Sequence, residues 1–208
     1  MLVPRLVLQC RTLAGVLLAA LLAAAPARAE MYFGGAGGAF VPLEGSTGWT
    51  VLLELGTDWS SEHIRVGGEA IFSSLEKTLD TSAFGGSRFD LAIRTYELRF
   101  VTRYVMFPGR LSPYIGVGGG FVVTDTDDVP LAAFGSLAPL WLARGEIAFG
   151  GGLDGQVGLE LPLFSKDLNL FAEGRAKYNW ELTGNPSPFV REDDTSGFSA
   201  IAGVRARY

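Results

Sequence analysis

The chain has 208 residues, 48% of them hydrophobic, with 28 glycines, one histidine, one cysteine and a net charge of −5. An acidic balance argues against a nucleic-acid-binding protein. A lone cysteine excludes an intramolecular disulfide.

Residues 1–29 read as a secretory signal peptide. Arg5 and Arg11 give a positive start, Leu13–Ala25 is apolar, and Ala27-Arg28-Ala29 supplies the small residues of an A-x-A cleavage site. The apolar stretch is shorter than the ~20 residues of a membrane span. Cys10 lies in this segment, and Leu8-Gln9-Cys10 lacks the small residue of a lipid-attachment site. Cleavage before Glu30 removes three arginines and no acid. Basic residues then fall from 17 to 14 against 22 acids, a net charge of −8. The remainder, 30–208, is expected to form one domain. No later apolar run suits a membrane helix, so an exported chain that crosses a membrane here must close into a barrel.

Period-two alternation predicts eight strands, near 31–41, 48–59, 63–73, 89–106, 113–124, 144–161, 167–180 and 197–208. The first is Gly-rich and its phase is weak. The second sets Trp49, Val51, Leu53 and Leu55 against Thr50, Leu52 and Glu54. The third sets Ile64, Val66, Ala70 and Phe72 against His63, Arg65 and Glu69. The fourth alternates cleanly from Tyr96 to Tyr104. Its parity slips before Thr95, which predicts a bulge there or an exit from the bilayer. The sixth sets Leu153, Val157 and Leu159 against Asp154, Gln156 and Glu160. The seventh sets Leu170, Ala172, Ala176 and Tyr178 against Asn169, Glu173, Arg175 and Lys177. The eighth sets Phe198, Ala200, Ala202, Val204, Ala206 and Tyr208 against Ser199, Ile201, Gly203, Arg205 and Arg207.

The connections Ser60–Glu62, Phe107–Ser112 and Pro162–Lys166 are short. Those around Ser74–Arg88, Asp125–Ala143 and Glu181–Ser196 are long, and Pro42–Thr47 is a short member of that set. Short periplasmic turns and long external loops are the pattern of outer-membrane barrels, and an even strand count puts both termini in the periplasm. Two aromatic girdles are expected: Trp59, Tyr104, Phe107, Tyr114, Phe164 and Tyr208 at the periplasmic end, and Phe40, Trp49, Phe72, Phe89, Phe121, Trp141, Trp180 and Phe198 at the external end.

Gly203, Ala206 and Tyr208 resemble the C-terminal pattern of bacterial outer-membrane barrels, with Ile201 where a polar residue is usual. Tyr96–Phe121, in which Ser112-Pro113-Tyr114 opens a Gly-rich strand, and Phe171-Ala172-Glu173 resemble the small OmpA-like or OmpX-like outer-membrane barrel superfamily. The likeness spans 30–208 through diffuse motifs. It implies an all-β, eight-stranded antiparallel up-and-down transmembrane barrel in the outer membrane, closed by its last strand. The terminal aromatic would be read by the β-barrel assembly machinery. The implied surroundings are outer-membrane lipid and lipopolysaccharide, around a monomer.

Parity places Glu54, Glu69, Glu97, Glu146, Asp154, Glu160 and Glu173 inside, with Arg65, Arg99, Arg103, Arg175, Lys177, Arg205 and Arg207. Side chains fill a barrel of ~8 strands, and buried charges need partners, so a plugged lumen is expected. Glu173 and Arg205 should pair, and Gly116, Gly118 and Gly120 should make room for Arg99 and Arg103. The alternatives are a narrow conduit for small or hydrophobic solutes, as in OmpW-like relatives, and a lipid-modifying enzyme. The enzymes known on such barrels use an external His with a Ser, whereas His63 falls at the predicted periplasmic end. No catalytic, metal or cofactor residue is expected. Gly150-x-Gly152-x-x-Gly155 spells a dinucleotide fingerprint but leads into a strand. Asp125, Asp127 and Asp128, and Glu192, Asp193 and Asp194, are expected as solvated loop charge.

Overall fold

The predicted alternation appears as eight strands in a computed structural model that describes residues 30–59, 63–80, 88–109, 111–127, 147–163, 167–183 and 190–208. They are β1 (Met31–Pro42), β2 (Gly48–Trp59), β3 (Ile64–Asp80), β4 (Arg88–Val105), β5 (Ser112–Thr126), β6 (Ile147–Pro162), β7 (Leu168–Thr183) and β8 (Gly197–Arg207), with one helical turn, α1 (Glu192–Thr195), before β8. Each strand pairs with the next, and β8 pairs antiparallel with β1, so the sheet closes. The expected signal peptide, together with Glu146, Trp141, Phe164 and Asp128, lies outside the described residues.

The stagger of the barrel can be followed residue by residue. A line of paired residues leaves β5 at Pro113 and passes through Leu159, Ala172, Ala202, Gly37, Val51, Phe72 and Tyr96. It returns to β5 at Val123, ten residues along. With ~3.3 Å per residue and ~4.8 Å between strands, that shear tilts the strands by about 40°.

The barrel is apolar outside and charged inside. Leu53, Phe100, Val117, Phe121, Leu153 and Val157 are exposed, whereas Arg65, Arg99, Arg103 and Arg205 head the fully buried side chains. A water-soluble barrel would reverse this, and hydrocarbon demands it. Among the described residues, no helix is long and apolar enough to cross a membrane.

Two ends are distinct. The turn end carries the β2–β3, β4–β5 and β6–β7 connections and exposes Trp59, Tyr104, Phe107 and Tyr208. The loop end exposes Trp49, Tyr96, Phe121, Tyr178 and Phe198. Trp49, Phe72 and Tyr96 form a continuous row there, with successive ring centroids 5.0 Å apart. Three aromatics expected in the girdles instead face the axis: Phe40 and Tyr114 are both fully buried, and Phe89 packs against the inner cluster around Phe40.

The connection expected around Ser74–Arg88 is mostly strand. β3 and β4 stay paired from Ile64↔Tyr104 to Asp80↔Arg88 without a register shift, so the bulge expected before Thr95 is absent. What changes there is polarity. Beyond Ser74 and Thr95 the outer face reads Glu76, Thr78, Asp80, Arg88, Asp90 and Arg94, while Leu75, Leu91 and Ile93 are buried inside. The hairpin has left the hydrocarbon, and its apolar face turns toward the barrel axis. The irregularity lies elsewhere: β6–β7 pairing jumps from Phe149↔Thr183 to Gly150↔Glu181, leaving Leu182 as the extra residue of a bulge in β7.

Candidate functional site: the charged lumen

Every inward charge expected from parity that falls in the described residues lies inside the barrel. The pairs form three tiers along the axis. At the turn end, Glu160 receives Arg65 at 2.6 Å, Arg207 at 3.2 Å and Arg205. Arg65 also meets Asp58 at 2.9 Å, and Arg205 holds Glu54 with two nitrogens.

Arg103 dominates the middle tier. It contacts Glu54 at 2.9 Å, Glu69, and Glu173 at 3.3 Å, and donates Nε–H to Gln156 at 3.0 Å. One guanidinium on β4 therefore ties together β2, β3, β6 and β7. Its planar fork of donors suits this role better than a lysine would. Arg175 grips Glu69 through two nitrogens at 2.5 and 2.8 Å and also meets Glu173. Tyr114 donates its hydroxyl to Glu173 at 2.8 Å.

In the third tier Arg99 bridges Glu97, Asp154 at 2.6 Å and Asn179 at 2.7 Å, and Lys177 pairs with Glu97 at 2.6 Å. Among the described residues, seven acids and seven bases meet in these tiers, the acids including Asp58. An apolar wall of Leu52, Ile71, Phe171 and Ile201 fills one side. A space of about 10 Å³, lined by Thr50, Leu52, Arg99, Asp154 and Lys177 among others, remains. That is room for one water at most.

Glycines make this filling possible. A Cβ at Gly116 would sit 2.9 Å from Arg103 Cγ, and one at Gly152 would sit 2.8 Å from an Arg99 guanidinium nitrogen. Tyr32 lies over Gly56 and Gly67, and Tyr114 lies over Gly158, each ring where a side chain would otherwise stand. Arg205 in turn stacks on Tyr32 and Tyr114, with its guanidinium 5.3 and 5.7 Å from their ring centres.

No protein-family model matches the sequence. No curated protein matches it either. Among solved structures it is similar to a major outer membrane protein from Thermus thermophilus, at 16% identity and a TM-score of 0.51, covering 87% of this chain and 100% of that one. It is also similar to the N-terminal β-barrel domain of Pseudomonas aeruginosa OprF (11% identity, TM-score 0.48, 86% and 97% covered). A third is Ail, the attachment invasion locus protein of Yersinia pestis (12%, 0.45, 86% and 97%). The chain has the fold of a small outer-membrane β-barrel.

Within this outer-membrane-type barrel some expected partnerships are redrawn. Glu173 does not pair with Arg205. In register it faces Ile201, and its cations are Arg103 and Arg175, while Arg205 serves Glu54 and Glu160. Arg99 lies across from Gly120 and reaches Gly152, while Gly118 accommodates Asp154. The network also takes in Asp58, Tyr32 and Asn179, which parity of the charges does not name, and Gln156, which shares the inward face of Asp154 and Glu160. Tyr114 shares the parity of Gly116 and Gly118, the inward face of β5.

His63 sits beside the turn-end girdle, its Nδ1 2.8 Å from the Val105 carbonyl and its ring stacked on Tyr104 at 5.9 Å. The glycines of Gly150-x-Gly152-x-x-Gly155 lie within β6. The acidic loop groups are not simply solvated. Asp125 and Asp127 pair with Arg94, Glu192 receives the Tyr178 hydroxyl at 3.0 Å, and Asp194 is fully buried.

Proposed function

We propose that the protein is an integral outer-membrane barrel with a structural or surface-interaction role and a non-conducting lumen. The observation that carries this reading is Arg103, which bonds acids on three other strands across the barrel's middle. An ion crossing the bilayer would have to break those pairs, and each broken pair leaves a buried charge without its partner. The apolar exterior and its two aromatic rows support a place in the bilayer. In this reading the turn end faces the periplasm, residues 1–29 are the export signal, and the surroundings are lipid and lipopolysaccharide. The barrel is monomeric and has no enzymatic activity.

Planar-bilayer conductance paired with mass spectrometry of lipid A tests it. The expected result is silence in both. A stable ohmic channel would install the narrow-conduit reading, and modified lipid A would install a lipid-modifying enzyme. Epitope tags at Gly85 and at Lys166 test the orientation: the first should be labelled on intact cells and the second should not.

A further inference from the structure

At the loop end the lumen changes from charge to hydrocarbon. Phe40, Leu75, Leu91 and Ile93 form a buried cluster, Leu79 and Phe89 pack against it, and Val190 completes it. From Val190 a strap runs through Arg191 and the single turn of α1 to Ser196. Asp194 in this strap is fully buried and accepts a hydrogen bond from Lys77 Nζ at 2.7 Å. The same carboxylate oxygen accepts the Arg191 backbone N–H at 2.7 Å, and the other oxygen is buried with no hydrogen-bond partner among the described residues. Beneath, Lys177 Nζ lies 4.0 Å from the centre of the Phe40 ring. The strap thus inserts one apolar side chain and one carboxylate into an apolar cup with a lysine at its lip.

We propose that this cup is a binding site for a single-chain anionic amphiphile of the fatty-acid type, and that Val190 and Asp194 occupy it as a built-in surrogate. The exchange conserves the chemistry. A hydrocarbon chain takes the place of Val190 among Phe40, Leu75, Leu91 and Ile93, and its carboxylate takes the place of Asp194 on Lys77. Lys77 keeps an anionic partner throughout, which avoids the cost of stranding a largely buried ammonium. Apart from Val190 and Asp194, the strap is held by polar contacts: Leu43 N–H to the Asp193 and Ser196 carbonyls at 3.1 and 2.9 Å, Asn179 to Thr195 and Ser196 at 2.9 Å each, the Tyr178 hydroxyl to Glu192 at 3.0 Å, and Arg191 to Glu44 at 3.7 Å. Among the described residues, Val190 is the one strap residue in the apolar cluster. A longer chain would add hydrocarbon contact that the strap does not supply.

Saturable binding of radiolabelled laurate to the full barrel in phosphatidylcholine nanodiscs tests this. Asp194→Asn removes the charge competing for Lys77 while keeping the strap's shape, and should tighten laurate binding about tenfold or more. Lys77→Met in that background should abolish the gain. Leu91→Trp, which fills the cup, should weaken binding about tenfold. Dodecanol, with the same chain and no charge, should compete about tenfold less well than laurate. Heat-modifiable migration on gels verifies the fold of each variant. Should Asp194→Asn not fold, Val190→Ser loosens the strap and should tighten binding about threefold. No saturable binding to the strap variant that folds, unchanged affinity in it, equal competition by dodecanol, or indifference to Leu91→Trp would each overturn the proposal. None of these outcomes depends on conductance, so the site stands or falls apart from the plugged-lumen reading.

Discussion

Tyr114 and Glu173 meet in the middle of the barrel, hydroxyl to carboxylate at 2.8 Å, on strands two apart in the sheet. That contact fixes an acid that two arginines share, because Arg103 and Arg175 both reach Glu173. Glu173→Gln removes the charge and keeps the shape. It leaves Arg175 dependent on Glu69, which Arg103 also uses, at an expected cost on the order of 3 kcal/mol. Tyr114→Phe removes one neutral-to-charged hydrogen bond and should cost about 1.5–3 kcal/mol. Urea unfolding from lipid vesicles measures both. Equal stability of Glu173→Gln and wild type would show that water, not arginine, satisfies this carboxylate.

A second expectation compares a crowded and an open glycine on a single strand. A Cβ at Gly158 would overlap the Tyr114 ring and lie 2.8 Å from the Ala172 carbonyl, whereas a Cβ at Gly155 meets nothing within 4 Å. Gly158→Ala must push the tyrosine off its seat and should destabilise by roughly 1–3 kcal/mol. Gly155→Ala should stay within about 0.5 kcal/mol of wild type. The comparison fails if the two variants unfold at the same urea concentration.

The polarity reversal on the β3–β4 hairpin sets the limit of the hydrocarbon. Leu53 is exposed on the outer face of β2 midway between Trp49 and Trp59, and Thr78 is exposed beyond the Trp49–Phe72–Tyr96 row. Leu53→Arg should cost about 2–4 kcal/mol, the burden of an arginine facing lipid near mid-depth. Thr78→Arg should cost less than about 1 kcal/mol, since water already surrounds its neighbours. A large penalty at Thr78 would place the membrane boundary higher on the hairpin.

Parity told which face each residue occupies, because a one-residue change flips a strand side chain from lipid to lumen. It therefore found Glu54, Glu69, Arg103 and Arg205 inside from the sequence alone. It did not tell who pairs with whom. Arg103 reaches acids on β2, β3 and β7 across the axis, and shear of ten residues moves opposite strands out of any alignment visible in the chain. It also misled where the solvent changes. Leu91 and Ile93 keep the inward parity of Glu97 and Arg99, but above the bilayer the apolar face belongs inside, so an unbroken strand read as a slipped one. Phe40 and Tyr114 misled for a related reason: an aromatic near a strand end fits a girdle by height, and only its parity shows that it packs in the lumen.

Closure gives the last expectation. β1 and β8 pair from Tyr32↔Arg207 to Pro42↔Gly197, and Arg205 on β8 supplies a cation to both Glu54 and Glu160. Deleting Val204–Tyr208 removes four of the eleven paired positions of that seam and the central cation of the turn-end tier together. The start of β1 then becomes an unpaired edge that lipid cannot satisfy. Glu54 would keep Arg103, and Glu160 would keep Arg65 while losing Arg207 with the deleted segment. Arg205→Met separates the two effects, since it keeps the seam and removes only the charge. The truncated chain should not form a heat-modifiable barrel at all, whereas Arg205→Met should fold with a loss of roughly 3–5 kcal/mol. Heat-modifiable migration of the truncated chain like that of wild type would mean that β1 and β7 can close the barrel without the end of β8, and the seam would not be what completes assembly.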